Sequence, residues 1–583
     1  RPSFLASSLS PKMRFVVLAL ASVFLQSSAV VANGPNGPPS CRCMPGDSCW
    51  PAFWEWEALN FIVGGRLVAS QPLGAPCHDP TYNATECAKL QTEWTDPTIH
   101  MASSSSVMAP FFANQSCDPF TATSKPCTLG NYVDYAVNAT CAADVAAAVE
   151  FAQATNIRLV IRNTGHDYLG KSTGAGALSV WTHYMKDIEF SDWSDKTYKG
   201  KTIKMGAGVQ GFDAMDAAKA QGLVTIGGEC PTVGVVGGYT QGGGHSALST
   251  SFGLAADQAL EWEVVTASGE IVTASRTSNT DLYWALSGGG GGTYGVVTSL
   301  IAKAYPDATI GGASLIFYSA NTTADNFYAA VEVFHSLLPG MVDAGAMVVY
   351  YFTDAFFQIA PLTAYGKSKT ETEAIMSDLI AAFNKLNFPY TVTYSESATY
   401  TDHYNTYFGP LPYGNIKVGI AQYGGRLIPR SAVFDNNKAL TATLRNITEH
   451  GVTFIGVGTN VSSPAITSQV SNAVLPAWRD ALVHATLTTP WNFTAPWSEM
   501  IALQDEMTYE FEPQITAVTP GGGAYMNEAD FRQLNWQEAF FGENYDKLLS
   551  IKNKWDPNHL FYAVTAVGST EWTVAADGRM CRT

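Results

Sequence analysis

The chain has 583 residues and carries 33 Lys+Arg against 50 Asp+Glu, a formal net charge of −17. That balance argues against a general nucleic-acid binder, because phosphate contacts need clustered cations. Apolar residues make up 46% and charged residues only 14%, the reverse of a disordered composition, and the length allows two to four folding units at roughly 100–200 residues each.

Taken in chain order, residues 1–12 read as an extension ahead of Met13. Lys12, Met13 and Arg14 precede an apolar run, Phe15 to Leu25, and small residues around Ala29 to Ala32. This pattern predicts a signal peptide over 13–32, too short to span a bilayer. Seven Asn-x-Ser/Thr sequons, at Asn83, Asn114, Asn138, Asn321, Asn446, Asn460 and Asn492, predict a secreted protein carrying N-glycans. Cys41, Cys43, Cys49, Cys77, Cys87, Cys117, Cys127 and Cys141 crowd the first quarter of the chain. In an oxidising compartment they suggest a disulfide-rich arm over 33–126.

Around Asp144 the pattern becomes helical up to Asn156, and Ile157–Ile161 reads as a short buried strand. Three glycine-bearing segments follow. The first is Arg162-Asn163-Thr164-Gly165-His166-Asp167-Tyr168-Leu169-Gly170, a polar turn whose successive N–H groups suit a pyrophosphate. By itself His166 reads more readily as an ordinary hydrogen-bonding residue. The second runs from Gly227-Gly228-Glu229-Cys230-Pro231-Thr232-Val233-Gly234 through Gly237-Gly238 to Gln241-Gly242-Gly243-Gly244-His245. Glycines this dense let the backbone pass against a flat or anionic ligand; their spacing is neither a dinucleotide fingerprint nor a P-loop. Cys230 alone reads as a disulfide partner or an inert buried thiol. In the third, Asp281 to Ser287 lead into five glycines, Gly288 to Gly292, and then Thr293-Tyr294-Gly295-Val296-Val297. Three such segments within about 135 residues point to one extended cofactor cleft rather than three separate loops.

Between 310 and 510, strand-like runs (Ala346–Phe352, Val452–Val457) alternate with helical ones (Glu371–Leu386, Phe434–His450), predicting a sheet covered on one face by helices. Asp402, His403, Tyr404 and Tyr407 form a polar-aromatic cluster that reads most simply as a surface turn. The tail ends in a helix, Tyr545 to Trp555, stopped by Asp556-Pro557. The histidines form no zinc-type array and there is no Gly-x-Ser-x-Gly elbow, so no metal is expected and a hydrolase is disfavoured.

Together the three segments, with the tail Tyr525-Met526-Asn527-Glu528 and the later stretches Asn535 to Tyr545 and Trp555 to Phe561, resemble the flavin-linked oxidases of the vanillyl-alcohol oxidase superfamily. Within it they are similar to the berberine-bridge-enzyme-like group and to its fungal isoamyl alcohol oxidase-like members. The resemblance, spanning about Cys41 to Cys581, implies a two-domain α+β flavoprotein: a PCMH-type FAD domain (127–305), an antiparallel-sheet substrate domain covered by helices (306–515), and a C-terminal segment returning to the FAD domain (516–583). It implies bicovalent FAD, tethered at His166 and at Cys230, 64 residues apart. Arg162, Asn163, Thr164 and Gly165 would cradle the pyrophosphate with Asp167 and Ser172 beside them. Gly228, Gly234, Gly238, Gly243 and His245 would pack along the cofactor, and Gly295, Val296 and Val297 lie near its nucleotide end. Val233 stands where oxidases carry a small residue that leaves oxygen a path to the flavin.

The implied reaction is hydride removal from a C–OH carbon to flavin, assisted by a base that takes the O–H proton, with reoxidation by oxygen to hydrogen peroxide. Tyr525 matches the family's tail tyrosine, and a cation would be needed to lower its pKa against burial. Glu528 replaces the final tyrosine of the usual Tyr-x-Asn-Tyr, and reads either as a base itself or as a surface residue; Asn527 is expected to orient flavin or substrate. The expected partners are a small-molecule substrate and oxygen, with no nucleic acid and no membrane, acting on a monomer. Two other readings remain: an oxidative cyclase of secondary metabolism, and a secreted flavoprotein for binding or storage. If Cys230 of the ten cysteines is a tether, at most four disulfides form, one thiol is left over, and Cys581 is expected to pair back to the N-terminal arm.

Overall fold

The structure, a computed structural model, describes residues 41–463, 466 and 471–583; the extension, the signal peptide and the start of the arm lie outside the described residues. The helix expected near Asp144 runs Ala142–Thr155 and ends on Asn156 in the left-handed conformation (φ 53°), a stop that asparagine tolerates better than most residues. It feeds the strand Arg158–Arg162. That strand is the edge of a four-stranded sheet with the spatial order Leu67–Ala69, Tyr135–Asn138, Ala177–Trp181, Arg158–Arg162, whose last three strands are parallel. Next to it lies an antiparallel sheet ordered Ile188–Ser194, Lys199–Gly206, Val296–Pro306, Ala259–Val265, Ile271–Ser275, with Leu223–Val224 also on Val296–Pro306. One core unites the two sheets, and Phe540, Leu548 and Leu560 of the tail are buried in it.

The third sheet has seven antiparallel strands, ordered Thr391–Ser397, Ile310–Tyr318, Phe356–Tyr365, Ala346–Phe352, Thr453–Gly458, Ala481–Pro490, Ala421–Pro429. Helices Ala324–Asp343, Lys369–Leu386 and Arg430–Glu449 pack into its core. The first buries Phe327, Val331, Phe334, Leu338 and Met341, an i, i+3/i+4 stripe in which each large side chain contributes about 1.5–3 kcal/mol. The second starts with a capping box, Ser368 with Glu371, and stops at left-handed Asn387. On Ala421–Pro429, Tyr423, Gly425 and Leu427 pair with Thr488, Thr486 and His484. Alternation along the two strands therefore puts those six residues on one face.

Four disulfides join Cys41–Cys581, Cys43–Cys49, Cys77–Cys87 and Cys117–Cys127, leaving Cys141 and Cys230 as thiols. The first ties the chain's tail to its N-terminal arm, as expected from the isolated position of Cys581. A buried ion pair works in the same region. Lys552 donates to Asp556 (2.6 Å) and to the carbonyls of Thr293 and Phe561 (both 2.7 Å), so its three donors are satisfied and the tail helix holds the end of the five-glycine run. No helix among the described residues is long and apolar enough to cross a membrane.

Candidate active site

The three glycine-bearing segments converge on one cavity of about 250 Å³, lined on its far side by Tyr423 of the seven-stranded sheet, the loop residues Ile416 to Gly419 before it, and the tail motif. From the first segment Asn163, Thr164, Gly165, His166 and Asp167 line it, with Ser172 beyond. From the second come Gly228, Cys230, Val233, Gly234, Gly238 and His245; from the third Gly295 and Val297; from the tail Tyr525, Asn527 and Glu528. The glycines are needed where segments touch: a Cβ on Gly234 would lie 2.1 Å from Asn163 Nδ2, and one on Gly291 would lie 2.9 Å from the Gly238 Cα.

Three expected lining residues are not on the cavity wall. Arg162 is buried beneath its loop and donates to the carbonyls of His100 (2.8 Å) and Ser103 (3.0 Å); its guanidinium ties the arm to the underside of Gly165, where a Cβ would lie 2.7 Å from it. Gly243, at φ +123°, backs the Tyr525 ring. Val296 is fully buried in the core, because strand alternation turns it away when Gly295 and Val297 face the ligand space. Asp167 lines the cavity while its carboxylate accepts from Leu169 N and Ser172 N, both at 3.0 Å, closing the loop that carries His166.

His166 and Cys230 come together through a residue the motif contained but spacing could not single out. Thr232 Oγ1 is 2.7 Å from His166 Nε2 and 3.3 Å from Cys230 Sγ. Burial, with His100 and Arg162 nearby, pushes the His166 pKa down to about 3, so the ring is neutral; burial pushes the Cys230 thiol up, opposed by its hydrogen bond from Thr232. The cluster read as a surface turn is instead a helix, Tyr400–Tyr407, capped by Thr399. His403 and Tyr404 are fully buried, and the Tyr404 hydroxyl donates to the carbonyls of Gly228 (3.1 Å) and Glu229 (2.9 Å). It thereby braces the Cys230 loop from the seven-stranded-sheet side.

Glu528 is no surface residue. Its Oε1 accepts from His245 Nε2 at 3.1 Å and its Oε2 from His484 Nε2 at 2.9 Å and Thr486 Oγ1 at 3.3 Å, while Glu229 lies 3.3 Å from the other nitrogen of His245. Burial opposes its ionisation, but His245 and His484 outweigh burial and hold the carboxyl well below the usual carboxylate range. His245 is likewise disfavoured as a cation by burial, yet Glu229 and Glu528 raise its pKa well above the ordinary histidine value. His484, facing only Glu528 closely, is lowered by burial. Tyr525 is buried and accepts from Asn527 Nδ2 at 2.8 Å. Burial and then the Glu528 charge push its phenol pKa upward, and the His245 ring packs edge-on against it with centroids 5.5 Å apart.

Sequence reasoning also missed Tyr168 and Tyr423, cavity-lining rings stacked at 3.7 Å with an interplanar angle of 2°, and Lys171, whose pKa burial lowers to about 8. Tyr168, Glu229 and Thr232 lay inside the recognised motifs, whereas Tyr423 and His484 join the site only through strand register. The sole sequence signal for His484 is an imidazole within an otherwise apolar-and-threonine strand, Ala481–Pro490.

Comparison with known proteins extends this geometry. A family profile described as FAD binding domain matches residues 133–275, and one described as berberine and berberine like matches residues 524–568. The chain is 56% identical over 547 residues to the FAD-linked oxidoreductase ZEB1 of Gibberella zeae, covering 94% of this chain and 96% of that protein. It is similar to the crystal structure of the VAO-type flavoprotein MtVAO615 from Myceliophthora thermophila C1, with a TM-score of 0.91 and 42% identity over 93% of this chain and 100% of that one. A more distant likeness of fold, at 20% identity and a TM-score of 0.61 over 75% of this chain and 92% of the other, is to the glucooligosaccharide oxidase from Acremonium strictum, described with a 6-S-cysteinyl, 8α-N1-histidyl FAD.

Proposed function

Since the chain belongs to the berberine-like, VAO-type FAD-linked oxidoreductases, we propose that it is an oxidase that dehydrogenates a C–OH carbon of a small molecule, using FAD tethered at both His166 and Cys230. The residues present fit the cofactor. Gly238 has open space where a Cβ would project, and the buried oxygens Asn163 Oδ1 and Gln241 Oε1, on cavity-lining residues, have no hydrogen-bond partner among the described residues and can accept from a bound ligand. His166 and Cys230, joined through Thr232, are the two nucleophiles; Asn163, Thr164, Gly165 and Gly234 would hold the phosphate end, with Gly295 and Val297 beyond. When bound, FAD supplies the hydride acceptor and passes the electrons to oxygen as hydrogen peroxide.

The observation that carries this reading is the place of Glu528 on the cavity wall, its carboxylate held between His245 and His484. It takes the substrate O–H proton; His245, kept charged between Glu229 and Glu528, fixes its position and disperses its charge. Tyr525 stays a neutral phenol and, with Asn527, braces the wall: Asn527 Nδ2 also donates to the Gly238 carbonyl at 2.9 Å. The test is peroxide release on a panel of primary and secondary alcohols. Glu528→Gln keeps the hydrogen-bonding shape without the proton acceptor and should lower kcat by about 10²–10⁴. An unchanged rate removes Glu528 from the role. A product two hydrogens lighter but newly cyclised would favour the ring-closing reading.

The same proposal includes secretion and the division into 127–305, 306–515 and 516–583. Secretion is supported by the four disulfides and by exposed sequon asparagines such as Asn83, Asn321 and Asn492. The division is supported by the seven-stranded sheet lying wholly within residues 310–490 and by the bridge between Leu159 and Phe561, which returns the tail to the first sheet.

A further inference from the structure

We propose that Thr232 is the positioning residue for both covalent attachments: its hydroxyl, shared between His166 and Cys230, presents Nδ1 of His166 and Sγ of Cys230 to the flavin together. This rests on the doubly tethered reading above and concerns how the tethers form.

The neutral His166 ring carries one N–H. The proposed arrangement places that proton on Nε2, where it donates to the Thr232 hydroxyl 2.7 Å away. Nδ1, which has no hydrogen-bond partner among the described residues, keeps its lone pair on a ring that lines the cavity. The hydroxyl has one proton of its own. In this arrangement the hydroxyl, having accepted from Nε2, turns its own proton to Cys230 Sγ, 3.3 Å away, and a donated hydrogen bond favours the thiolate, the nucleophilic form. Thr232 is rigidly placed for this. It is fully buried, β-branched and so stiff about χ1. Its carbonyl accepts from Gln210 Nε2 at 2.5 Å, and Gln210 Oε1 accepts in turn from Lys186 Nζ at 2.7 Å. Tyr404 fixes the residues immediately before Cys230 from the other side.

Each attachment forms one bond, Nδ1–C at His166 and Sγ–C at Cys230, and removes two hydrogens: the one borne by the side chain and the one on the flavin carbon. The two electrons per link go to molecular oxygen, which leaves with the two protons as hydrogen peroxide. At His166 the departing side-chain proton is the one on Nε2, made acidic by substitution at Nδ1, and Thr232 Oγ1 is its exit.

The test compares wild type with Thr232→Val, which keeps the shape, and with Thr232→Ser and Thr232→Ala, which differ from each other only by the hydroxyl. Each FAD-loaded protein is precipitated in acid and digested, and the peptides carrying His166 and Cys230 are weighed and their linkage atoms identified. Wild type and Thr232→Ser should carry both links, with His166 joined through Nδ1. Thr232→Val and Thr232→Ala should form the doubly linked species about tenfold more slowly and release yellow flavin into the supernatant. Double linkage at the wild-type rate in Val or Ala, equal defects in Ser and Ala, or a link through Nε2 overturns the proposal. A wild-type protein that itself leaves its flavin in the supernatant instead overturns the doubly tethered reading, an outcome read before any variant is compared.

Discussion

Val233 faces the cavity three residues after Cys230 and its carbonyl is held by Gly211 N at 3.0 Å, so a larger side chain there has little backbone freedom to retreat. Val233→Leu adds a methylene at the point where oxygen would approach; overpacking of this kind costs about 1–3 kcal/mol, and reoxidation of the reduced flavin by oxygen should slow about tenfold. Stopped-flow mixing of reduced protein with oxygen measures it, and an unchanged rate rejects the gate. The site was partly legible at this scale. His166, Cys230, Tyr525 and Glu528 were all visible as residue types in recognisable strings, because glycine-dense backbone around a ligand leaves a compositional trace. The choice between Tyr525 and Glu528 as base was not legible, since it depends on which cations face each group. His245 announces itself within its motif; His484 reaches Glu528 only because it pairs with Leu427 across two strands, a register that no local pattern encodes.

Elements with a strong period were read well. Ala346–Phe352 and Tyr545–Trp555 have the bounds expected of them. The helix anticipated from Phe434 begins four residues earlier, at Arg430, and is kinked at Asn436 (φ −144°, ψ 24°), where the helical pattern is interrupted. Tyr400–Tyr407 was missed because eight mostly polar residues carry little periodic signal, and its burial comes from contact between two sheets' worth of structure. Glu512, at the start of the helix Glu512–Val518, shows how such packing governs pH response. Burial, then the charge of Asp530, raises its pKa from 4.5 to about 8, while its carboxyl accepts from Gly425 N at 2.5 Å on the strand that presents Tyr423. A carboxyl whose folded pKa is raised keeps its proton in the native state after the unfolded chain has lost it. Its contribution to stability is therefore full below about 4.5 and is lost as pH rises towards about 8. Glu512→Gln should flatten the fall of Tm over that window relative to wild type; parallel Tm–pH curves would remove Glu512 from the account.

Over the whole molecule, the order of elements pointed to a helix-and-strand half with glycine segments followed by a sheet covered by helices, and the resemblance carried the two-domain α+β fold. The tail's return to the first sheet has no periodic signature; the resemblance of its motifs and the isolated position of Cys581 pointed to it. The cysteine inventory turns this architecture into a count. With four disulfides formed and Cys230 joined to flavin, denatured but unreduced protein should show one alkylatable thiol, Cys141. Two such thiols would mean that Cys230 carries no flavin, and none would mean that a fifth disulfide replaces the tether.

The Cys41–Cys581 bond, with a sequence separation of 540, also gives the molecule a mechanical character. It closes almost the entire described chain into a single covalent ring. A pulling force applied on the outer sides of these two cysteines passes through one sulfur–sulfur bond and leaves both cores and the cavity between them unloaded. Only after reduction would the same force reach the tail helix, the ion pair of Lys552 with Asp556 and the glycine run behind the ligand space.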